Sequence, residues 1–267
     1  MIRLEYRDVT MRFADARGRA NFTAIEGVSF SVADGEVVAL IGPSGCGKST
    51  LLNIGSGLAA PSAGEARVDG ERVQGPNRHV AFMLQKDLLL PWRTIAENVA
   101  LGVEIQRQPR SECTRRAHDL LSGLNLADFS RLYPHQLSGG MRQRVALART
   151  LAVDPSVLLL DEPFSAVDAQ TRISLQHELA QTLKRAGKTA LLITHDLLEA
   201  VILSDRVLVM SARPGRIIDE MPIEIGHRDE PLRRRQDAKV TGYMARLMER
   251  LEIARPTGVT RSAPQPA

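Results

Sequence analysis

The sequence predicts an α/β fold with a largely parallel sheet, an N-terminal antiparallel β subdomain and an inserted helical subdomain. Short apolar runs recur along the chain with helical patterns between several of them, which is typical of parallel strands joined by helices. The first 35 residues alternate apolar and polar side chains instead, and residues 87–137 contain helical patterns without a convincing strand. The expected parallel strands are Val37–Ile41, Val80–Leu84, Val157–Leu160, Ala190–Ile193 and Val207–Met210.

The remaining elements follow from local patterns. Leu4–Val9 and Val28–Val32 are expected to form the antiparallel sheet, joined by a polar loop at Ala14–Ala20. Ser111 follows a proline and an arginine and is the expected N-cap of its helix. The C-terminal stretch Arg255–Ala267 is rich in Pro, Thr and Ser and is expected to fray. The expected helices are Lys48–Gly57, Ile95–Ile105, Ser111–Leu121, Arg142–Ala152 and Leu232–Leu251.

Composition and charge exclude several classes of protein. A hydrophobic content of 43% and a charged content of 25% over 267 residues are ordinary for a globular protein of one large or two small domains. Every apolar run is shorter than the roughly 18 residues that a membrane-spanning helix needs. The charged N-terminus is unlike a secretory signal. We therefore expect a cytosolic protein whose two cysteines, Cys46 and Cys113, are free thiols.

The net charge of +4 lies in the C-terminal tail, where residues 228–267 contain nine basic and five acidic side chains. Arg233, Arg234 and Arg235 form its centre. A basic tail can contact nucleic acid or an anionic membrane surface, but a solvated face is the more common outcome. Aromatic residues do not alternate with the basic ones as they do in single-strand binders, so we expect no nucleic-acid partner.

Residues 42–50 match the phosphate-loop pattern G-x-x-x-x-G-K-[ST] between a predicted strand and a predicted helix. Glycines let backbone N–H groups converge on phosphate oxygens, and the helix N-terminus adds partial positive charge. Lys48 would reach the β- and γ-phosphates, and the Ser49 hydroxyl would bind Mg²⁺. A glycine-rich turn without a ligand is the alternative. The expected nucleotide-binding residues are Gly42, Pro43, Ser44, Gly45, Cys46, Gly47, Lys48, Ser49 and Thr50.

Two carboxylates end a strongly apolar predicted strand. Asp161 and Glu162 directly follow Val157–Leu160. Ligands of open α/β sheets bind at the carboxyl ends of the strands, so both side chains are expected beside the phosphate loop. Asp161 would hold Mg²⁺, and Glu162 would act as general base on the attacking water. A strand that ends in a charged turn is the alternative.

A second candidate anion site precedes the helix Arg142–Ala152. Ser138 is a natural N-cap, and Gly139 and Gly140 allow close backbone approach at a helix N-terminus. If this site faces outward, a second subunit could present it to the nucleotide. Simple helix capping is the alternative.

These motifs occur in an order that resembles the ATPase subunit of an ABC transporter, a P-loop NTPase. The ordered set comprises the phosphate loop, Leu137–Gly140, Asp161–Pro163 and Thr194–Asp196, and the resemblance covers residues 2–225. It implies an ATPase domain at 1–225, with a helical subdomain at about 87–150 and a basic extension at 226–267. It also implies a head-to-tail homodimer that holds ATP and Mg²⁺ between the phosphate loop of one chain and Ser138–Gly140 of the other.

The resemblance assigns roles to four further residues. Gln85 is similar to the glutamine that contacts Mg²⁺ and water, and His195 to the switch histidine that touches the γ-phosphate. Asp168 resembles the aspartate that bridges the subunits. Phe13 resembles the aromatic residue that stacks on adenine, although Phe22 lies nearby in the sequence.

Two positions depart from the family pattern. Met141 stands where glutamine is usual, which puts one interface hydrogen bond in doubt, and Val167 stands where leucine is common. Neither change removes a catalytic group. Because Glu162 and His195 are both present, we expect a site that hydrolyses ATP.

The segment Leu88–Thr94 suggests a partner. It follows Gln85 and contains Trp92, the only tryptophan in the chain. An apolar segment with an aromatic anchor suits a groove for a helix of a transmembrane permease, unless the side chains pack inside the helical subdomain. Its sequence, Leu-Leu-Pro-Trp-Arg-Thr, and that of the segment Ala212–Ile217 resemble the nitrate, sulfonate and taurine importer branch of the family.

The resemblance therefore implies an ATP-hydrolysing subunit at the cytoplasmic face of the cell (inner) membrane. It would energise an importer and work indirectly with a solute-binding protein. The alternatives are an ATPase of another ABC class, such as a lipid-handling or export system, and a soluble ABC ATPase that acts in translation or DNA repair.

Overall fold

Two sheets organise the chain in the computed structural model, which describes residues 1–14 and 20–254. The strands are β1 (Ile2–Ala14), β2 (Ala20–Ala33), β3 (Val37–Ile41), β4 (Ala63–Val68), β5 (Glu71–Arg72), β6 (Val80–Met83), β7 (Val157–Asp161), β8 (Thr189–Ile193), β9 (Arg206–Met210) and β10 (Ile217–Pro222). The helices are α1 (Lys48–Gly55), α2 (Ile95–Ile105), α3 (Arg110–Gly123), α4 (Gly139–Ala152), α5 (Ala169–Arg185), α6 (Leu197–Leu203), α7 (Pro231–Arg235) and α8 (Lys239–Ile253).

The larger sheet has the order β10-β9-β3-β8-β7-β6, with parallel pairing from β9 to β6. The five predicted parallel strands are all present, within one residue of their expected bounds. They read as continuous apolar runs because strands such as β3 and β8 are buried on both faces. The antiparallel edge strand β10 was not predicted, since its residues alternate between half-buried and exposed.

The smaller sheet is antiparallel, in the order β2-β1-β4-β5. The predicted strands Leu4–Val9 and Val28–Val32 lie within the longer strands β1 and β2. Strands β4 and β5 were not predicted, because the sequence of β4, AGEARV, contains few apolar residues. Most of the loop expected at Ala14–Ala20 lies outside the described residues. One apolar cluster joins the two sheets and contains Leu4, Val28, Leu40 and Leu159.

Three helices, α2, α3 and α4, lie between β6 and β7 as expected. The predicted cap of α3 was wrong: the N-cap is Pro109, whose backbone is extended at ψ 145°, and Ser111 lies inside the helix. A capping box that was not predicted starts α2, where Thr94 accepts from the Glu97 N–H and the Glu97 carboxylate accepts from the Thr94 N–H.

The C-terminal region forms two helices, α7 and α8, rather than the single helix expected at Leu232–Leu251. At the break, the Asp237 side chain accepts a 2.8 Å hydrogen bond from the Lys239 N–H, one residue before Ala238, the N-cap of α8. The expected frayed end, residues 255–267, lies outside the described residues. In the described part of the chain, every helix is too short or too polar to cross a membrane.

Arg234 contradicts the expectation that the basic tail is a solvated or anion-binding face. Its side chain is only 2% exposed and donates hydrogen bonds to the carbonyls of Ile202, Ser204 and Ile225. Burial lowers its pKa to about 10. The guanidinium therefore joins α7 to the end of α6 and to the segment that follows β10, while its neighbour Arg233 stays exposed.

Candidate functional site

The phosphate loop connects the buried strand β3 to α1. Gly47 has φ +107°, and a Cβ atom there would lie 2.3 Å from Cγ2 of Ile25, so only glycine fits. The Lys48 ammonium is buried and donates to the carbonyls of Gly42 at 2.8 Å and Pro43 at 3.0 Å. Cys46 is a buried free thiol beside this ammonium, and Cys113 is also free and buried. The phosphate loop is thus a preformed turn that encloses the Lys48 ammonium.

Asp161 and Glu162 lie where β7 ends, as the sequence predicted. Burial raises the pKa of Asp161, while the hydroxyl of Ser49 opposes this shift. Glu162 has a left-handed backbone with φ +46°, and its N–H donates to the Ile193 carbonyl on β8 at 3.0 Å. A left-handed glutamate costs of the order of 1 kcal/mol, and such costs concentrate at functional sites.

Gln85 and His195 converge on one oxygen atom of Glu162. Nε2 of Gln85 donates to Oε2 at 3.3 Å, and Nδ1 of His195 lies 3.2 Å from the same oxygen. Gln85 also contacts the Ser165 hydroxyl at 3.4 Å. These side chains follow β6, β7 and β8, whose carboxyl ends meet at one edge of the sheet. The structure therefore brings together the three residues that the sequence assigned to catalysis.

A buried network that was not predicted supports the loop that carries His195. The Thr194 hydroxyl donates to Glu199 at 2.6 Å, and the Gln176 amide donates to the other carboxylate oxygen at 3.1 Å. Burial raises the pKa of Glu199. Asp196 caps α6 through the N–H groups of Leu198 and Glu199. The loop that carries His195 is thus fixed by this buried network, while the His195 ring itself is exposed.

Two aromatic rings form one wall of the cavity at the phosphate loop. Phe13 and Phe22 pair across β1 and β2, with their ring centroids 5.2 Å apart. The cavity has a volume of about 300 Å³. The sequence left the choice between the two rings open, and both line it. The other lining residues are Ala24, Ser44, Gly45, Gly47, Lys48, Ser49, Thr50, Glu162, Ile193 and Arg213.

Ser138, Gly139 and Gly140 start α4 and do not line this cavity. The Ser138 hydroxyl accepts from the Met141 N–H at 3.3 Å, as an N-cap should. A Cβ atom on Gly140 would lie 2.3 Å from Cγ2 of Thr171, so this glycine is required by the contact of α4 with α5. A Cβ atom on Gly139 would make only ordinary van der Waals contacts, 3.9 Å from Nη2 of Arg142 and 4.0 Å from the Ala166 carbonyl oxygen, so packing does not require this glycine.

Asp168 also lies apart from the cavity and caps α5. Its carboxylate accepts from the N–H groups of Gln170 at 3.1 Å and Thr171 at 3.0 Å. Hydrogen bonds from the side chain and the backbone of Thr171 lower its pKa. A single chain therefore leaves both groups expected at a subunit interface, the Ser138 segment and Asp168, outside its own nucleotide cavity.

The apolar segment Leu88–Thr94 divides between the interior and the surface. Leu89 is buried, whereas Leu88 is 52% and Trp92 is 71% exposed. Arg149 of α4 holds the segment by donating to the carbonyls of Asp87 and Leu88. Packing inside the helical subdomain therefore holds for Leu89 but not for Trp92, which projects outward, and contact with a partner stays a prediction.

Comparisons with known proteins agree with this geometry. A family model described as ABC transporter matches residues 25–165. The taurine import ATP-binding protein TauB of Burkholderia pseudomallei (strain K96243) is 42% identical over 255 residues, which cover 94% of this chain and 97% of that protein. The uncharacterized ABC transporter ATP-binding protein YtlC of Bacillus subtilis (strain 168) is 47% identical over 195 residues, 73% of this chain and 75% of that protein.

A solved structure is similar over most of the chain. It is the dimeric post-hydrolysis state of the ATP-binding cassette MJ0796 bound to ADP and Pi, with a TM-score of 0.73 and 31% sequence identity. The match covers 83% of this chain and 99% of that chain. Its mixed sheet architecture agrees with the fold class that the sequence predicted.

Proposed function

This chain belongs to the ABC transporter family of ATP-binding cassettes, and we propose that it is the subunit that energises a membrane importer. As a member of that family it is an ATPase that binds ATP. The observation that best supports this function is the convergence of Gln85 and His195 on Oε2 of Glu162, beside the phosphate loop. A cradle for phosphates and a carboxylate held by two polar partners are the parts that ATP hydrolysis needs.

The roles within one chain follow from this arrangement. The N–H groups at the start of α1 and the Lys48 ammonium would bind the phosphates, and Glu162 would accept a proton from the attacking water. His195 would donate to the γ-phosphate from its fixed loop. The oxygen donors of Ser49, Asp161 and Gln85 suit Mg²⁺, which prefers oxygen ligands. When bound, Mg²⁺ neutralises phosphate charge, which favours transfer to water.

We expect the working unit to be a head-to-tail homodimer. Ser138 to Gly140 start α4 outside the cavity of their own chain, so the N–H groups at this helix N-terminus would bind a phosphate held by a second chain. The cassette MJ0796, which is similar in structure, is dimeric. In such a dimer Asp168 would also lie near the partner. Hydrolysis would then depend on closure of the dimer, and the isolated chain should be mostly monomeric.

A transmembrane permease is the expected partner at Trp92. This ring is 71% exposed in a segment that Arg149 fixes to α4, which is an unfavourable position for an indole unless it is covered. The substitution Trp92→Ala should reduce co-purification of co-expressed permease subunits by at least tenfold and leave the ATPase rate unchanged. Leu232→Ala, another exposed apolar residue at 51%, is the control. Equal recovery of permease with both variants would place the contact elsewhere.

The proposed solute is nitrate, a sulfonate, taurine or a related small molecule, delivered by a solute-binding protein. TauB relatives that cover nearly the whole chain support this choice. The chain would sit peripherally at the cytoplasmic face of the cell membrane, without nucleic acid. An ATPase of another transport class would keep every residue of the site, so the partner and not the site distinguishes the two. A soluble, non-transport ATPase is the less favoured hypothesis.

A growth experiment tests the import function. A strain that lacks this protein is grown with taurine or an alkanesulfonate as sole sulfur source, and with nitrate as sole nitrogen source. Sulfate and ammonium are the controls. Loss of growth on one test nutrient alone is the expected result and names the solute class. Normal growth on all of them would contradict the proposed solutes. ATPase activity that nucleic acid stimulates would instead favour the soluble alternative.

A further inference from the structure

Arg213 joins the aromatic wall to the phosphate loop. Its guanidinium lies 4.5 Å from the centroid of the Phe22 ring, and Phe22 in turn stacks on Phe13. The same guanidinium donates to the Gly45 carbonyl, from Nε at 3.3 Å and from Nη2 at 3.0 Å. A planar cation that stacks with one face and donates from one edge is a use of arginine that lysine cannot reproduce.

The backbone around Arg213 is held in place independently of the side chain. The Gly215 N–H donates to the Ala24 carbonyl at 2.9 Å, and the Glu26 N–H donates to the Gly215 carbonyl at 3.0 Å. These bonds attach the segment Ala212–Ile217 to β2, two residues from Phe22. The position of Arg213 is therefore set by the sheet that carries the aromatic wall.

We propose that Arg213 is a nucleotide-positioning residue that holds the Phe22 ring and the phosphate loop at a fixed separation, so that an adenine nucleotide meets both at once. The inference rests on the proposed nucleotide site. It extends that site to Arg213, which lies 168 positions from Gly45 in the sequence and belongs to none of the nucleotide-binding motifs. Without Arg213 the Phe22 ring keeps its stack on Phe13 but loses its link to the phosphate loop, so a nucleotide must restore the relative position of ring and loop when it binds.

The test is calorimetric binding of MgADP to the full chain, since ADP is not hydrolysed and needs no second subunit. Arg213→Ala should weaken binding about tenfold, because it removes one cation–π contact and both charge-assisted hydrogen bonds to the Gly45 carbonyl. Arg213→Lys should lose nearly as much. In steady-state assays the KM for ATP should rise by a similar factor, while kcat changes less than twofold.

A double-mutant cycle with Phe22 tests whether the two residues act together. Phe22→Leu alone should weaken MgADP binding. The affinity of the double variant Arg213→Ala/Phe22→Leu should be no lower than that of the single variant that binds MgADP more weakly. Arg216→Ala is the matched control, because Arg216 lies in the same segment but pairs with Glu26 outside the cavity. Its affinity should equal that of the wild type. Melting temperatures identify any variant that fails to fold.

Three results would overturn the inference in different ways. Wild-type affinity of Arg213→Ala would show that Arg213 does not position the nucleotide. Multiplicative losses in the double variant would show that it does not act through Phe22. Failure of the wild-type chain to bind MgADP would instead remove the proposed nucleotide site, and this inference with it.

Discussion

Replacing Glu162 with glutamine tests the catalytic assignment most directly. The amide keeps the size of the side chain and retains an oxygen that can accept from Nε2 of Gln85, which now lies 3.3 Å from Oε2. It removes the negative charge near Nδ1 of His195, at 3.2 Å, and with it the ability to accept a proton from water. The perturbation is therefore chemical rather than steric.

The expected magnitude follows from the loss of a general base. Such a group typically contributes 10²- to 10⁴-fold to the rate, so Glu162→Gln should lower kcat at least a hundredfold, or about 2.7 kcal/mol and more in activation free energy. Binding should be unchanged, because the phosphate loop and Lys48 are untouched. Since ATP then persists in the site, the variant should accumulate as an ATP-bound dimer.

Two assays measure these effects. Phosphate release gives kcat, and gel filtration with and without MgATP gives the oligomeric state. Glu65→Gln is the control, because Glu65 pairs with Arg67 on the antiparallel sheet, away from the cavity, and should behave as the wild type. A variant at Glu162 with more than a tenth of the wild-type rate, or one that elutes only as monomer with MgATP, would refute the reasoning.

Two further predictions concern stability and are measured by denaturant or thermal unfolding. Arg234→Ala leaves several buried carbonyls without a donor and should lower the free energy of unfolding by about 3–5 kcal/mol, whereas the exposed neighbour Arg233→Ala should change it by less than about 0.5 kcal/mol. Equal effects would place Arg234 at the surface. Hydrogen bonds from Arg115, and to a smaller extent from Arg116, lower the pKa of Glu112 to about 2 from its ordinary 4.5. Its stabilising effect is present above pH 4.5 and lost as the pH falls towards 2, so the difference in melting temperature between wild type and Glu112→Gln should shrink over that interval. A constant difference would contradict the ion pairing.

The sequence predicted the parts of the fold whose local pattern has a single physical cause. β3 and β8 appear as continuous apolar runs because both faces are buried. The bounds of α2 were predicted from its helical pattern, although the Thr94 cap that starts it was not. Edge strand β10 was missed because half of its residues face solvent, so that its pattern resembles a loop. The helix break before Lys239 was missed because the Asp237 carboxylate accepts a hydrogen bond from the Lys239 N–H, a contact that the helical pattern of the sequence does not show.

The candidate site was predictable to the extent that it follows strand ends. Glu162 and His195 each come directly after or close to the end of a buried strand, and parallel strands end at one edge. Arg213 and Arg234 could not be placed in this way. Arg213 reaches Gly45 only through tertiary structure, and the burial of Arg234 requires carbonyls from two distant segments. A run of arginines carries no signal of which one is buried.

The segment after β6 shows how hydrolysis and a partner could be connected. At one end Gln85 contacts Glu162, and at the other Trp92 is exposed. Between them the Asp87 carboxylate accepts from Arg142 at 3.1 Å, so the segment is tied to the first turn of α4, which Ser138 caps. A second chain that binds at Ser138 would therefore press on the same helix that holds this segment. In the proposed importer, closure of the dimer would displace Trp92 and Gln85 together, because one ion pair and the two hydrogen bonds from Arg149 join them to α4. These contacts alone would then couple closure of the dimer to movement of the permease contact at Trp92.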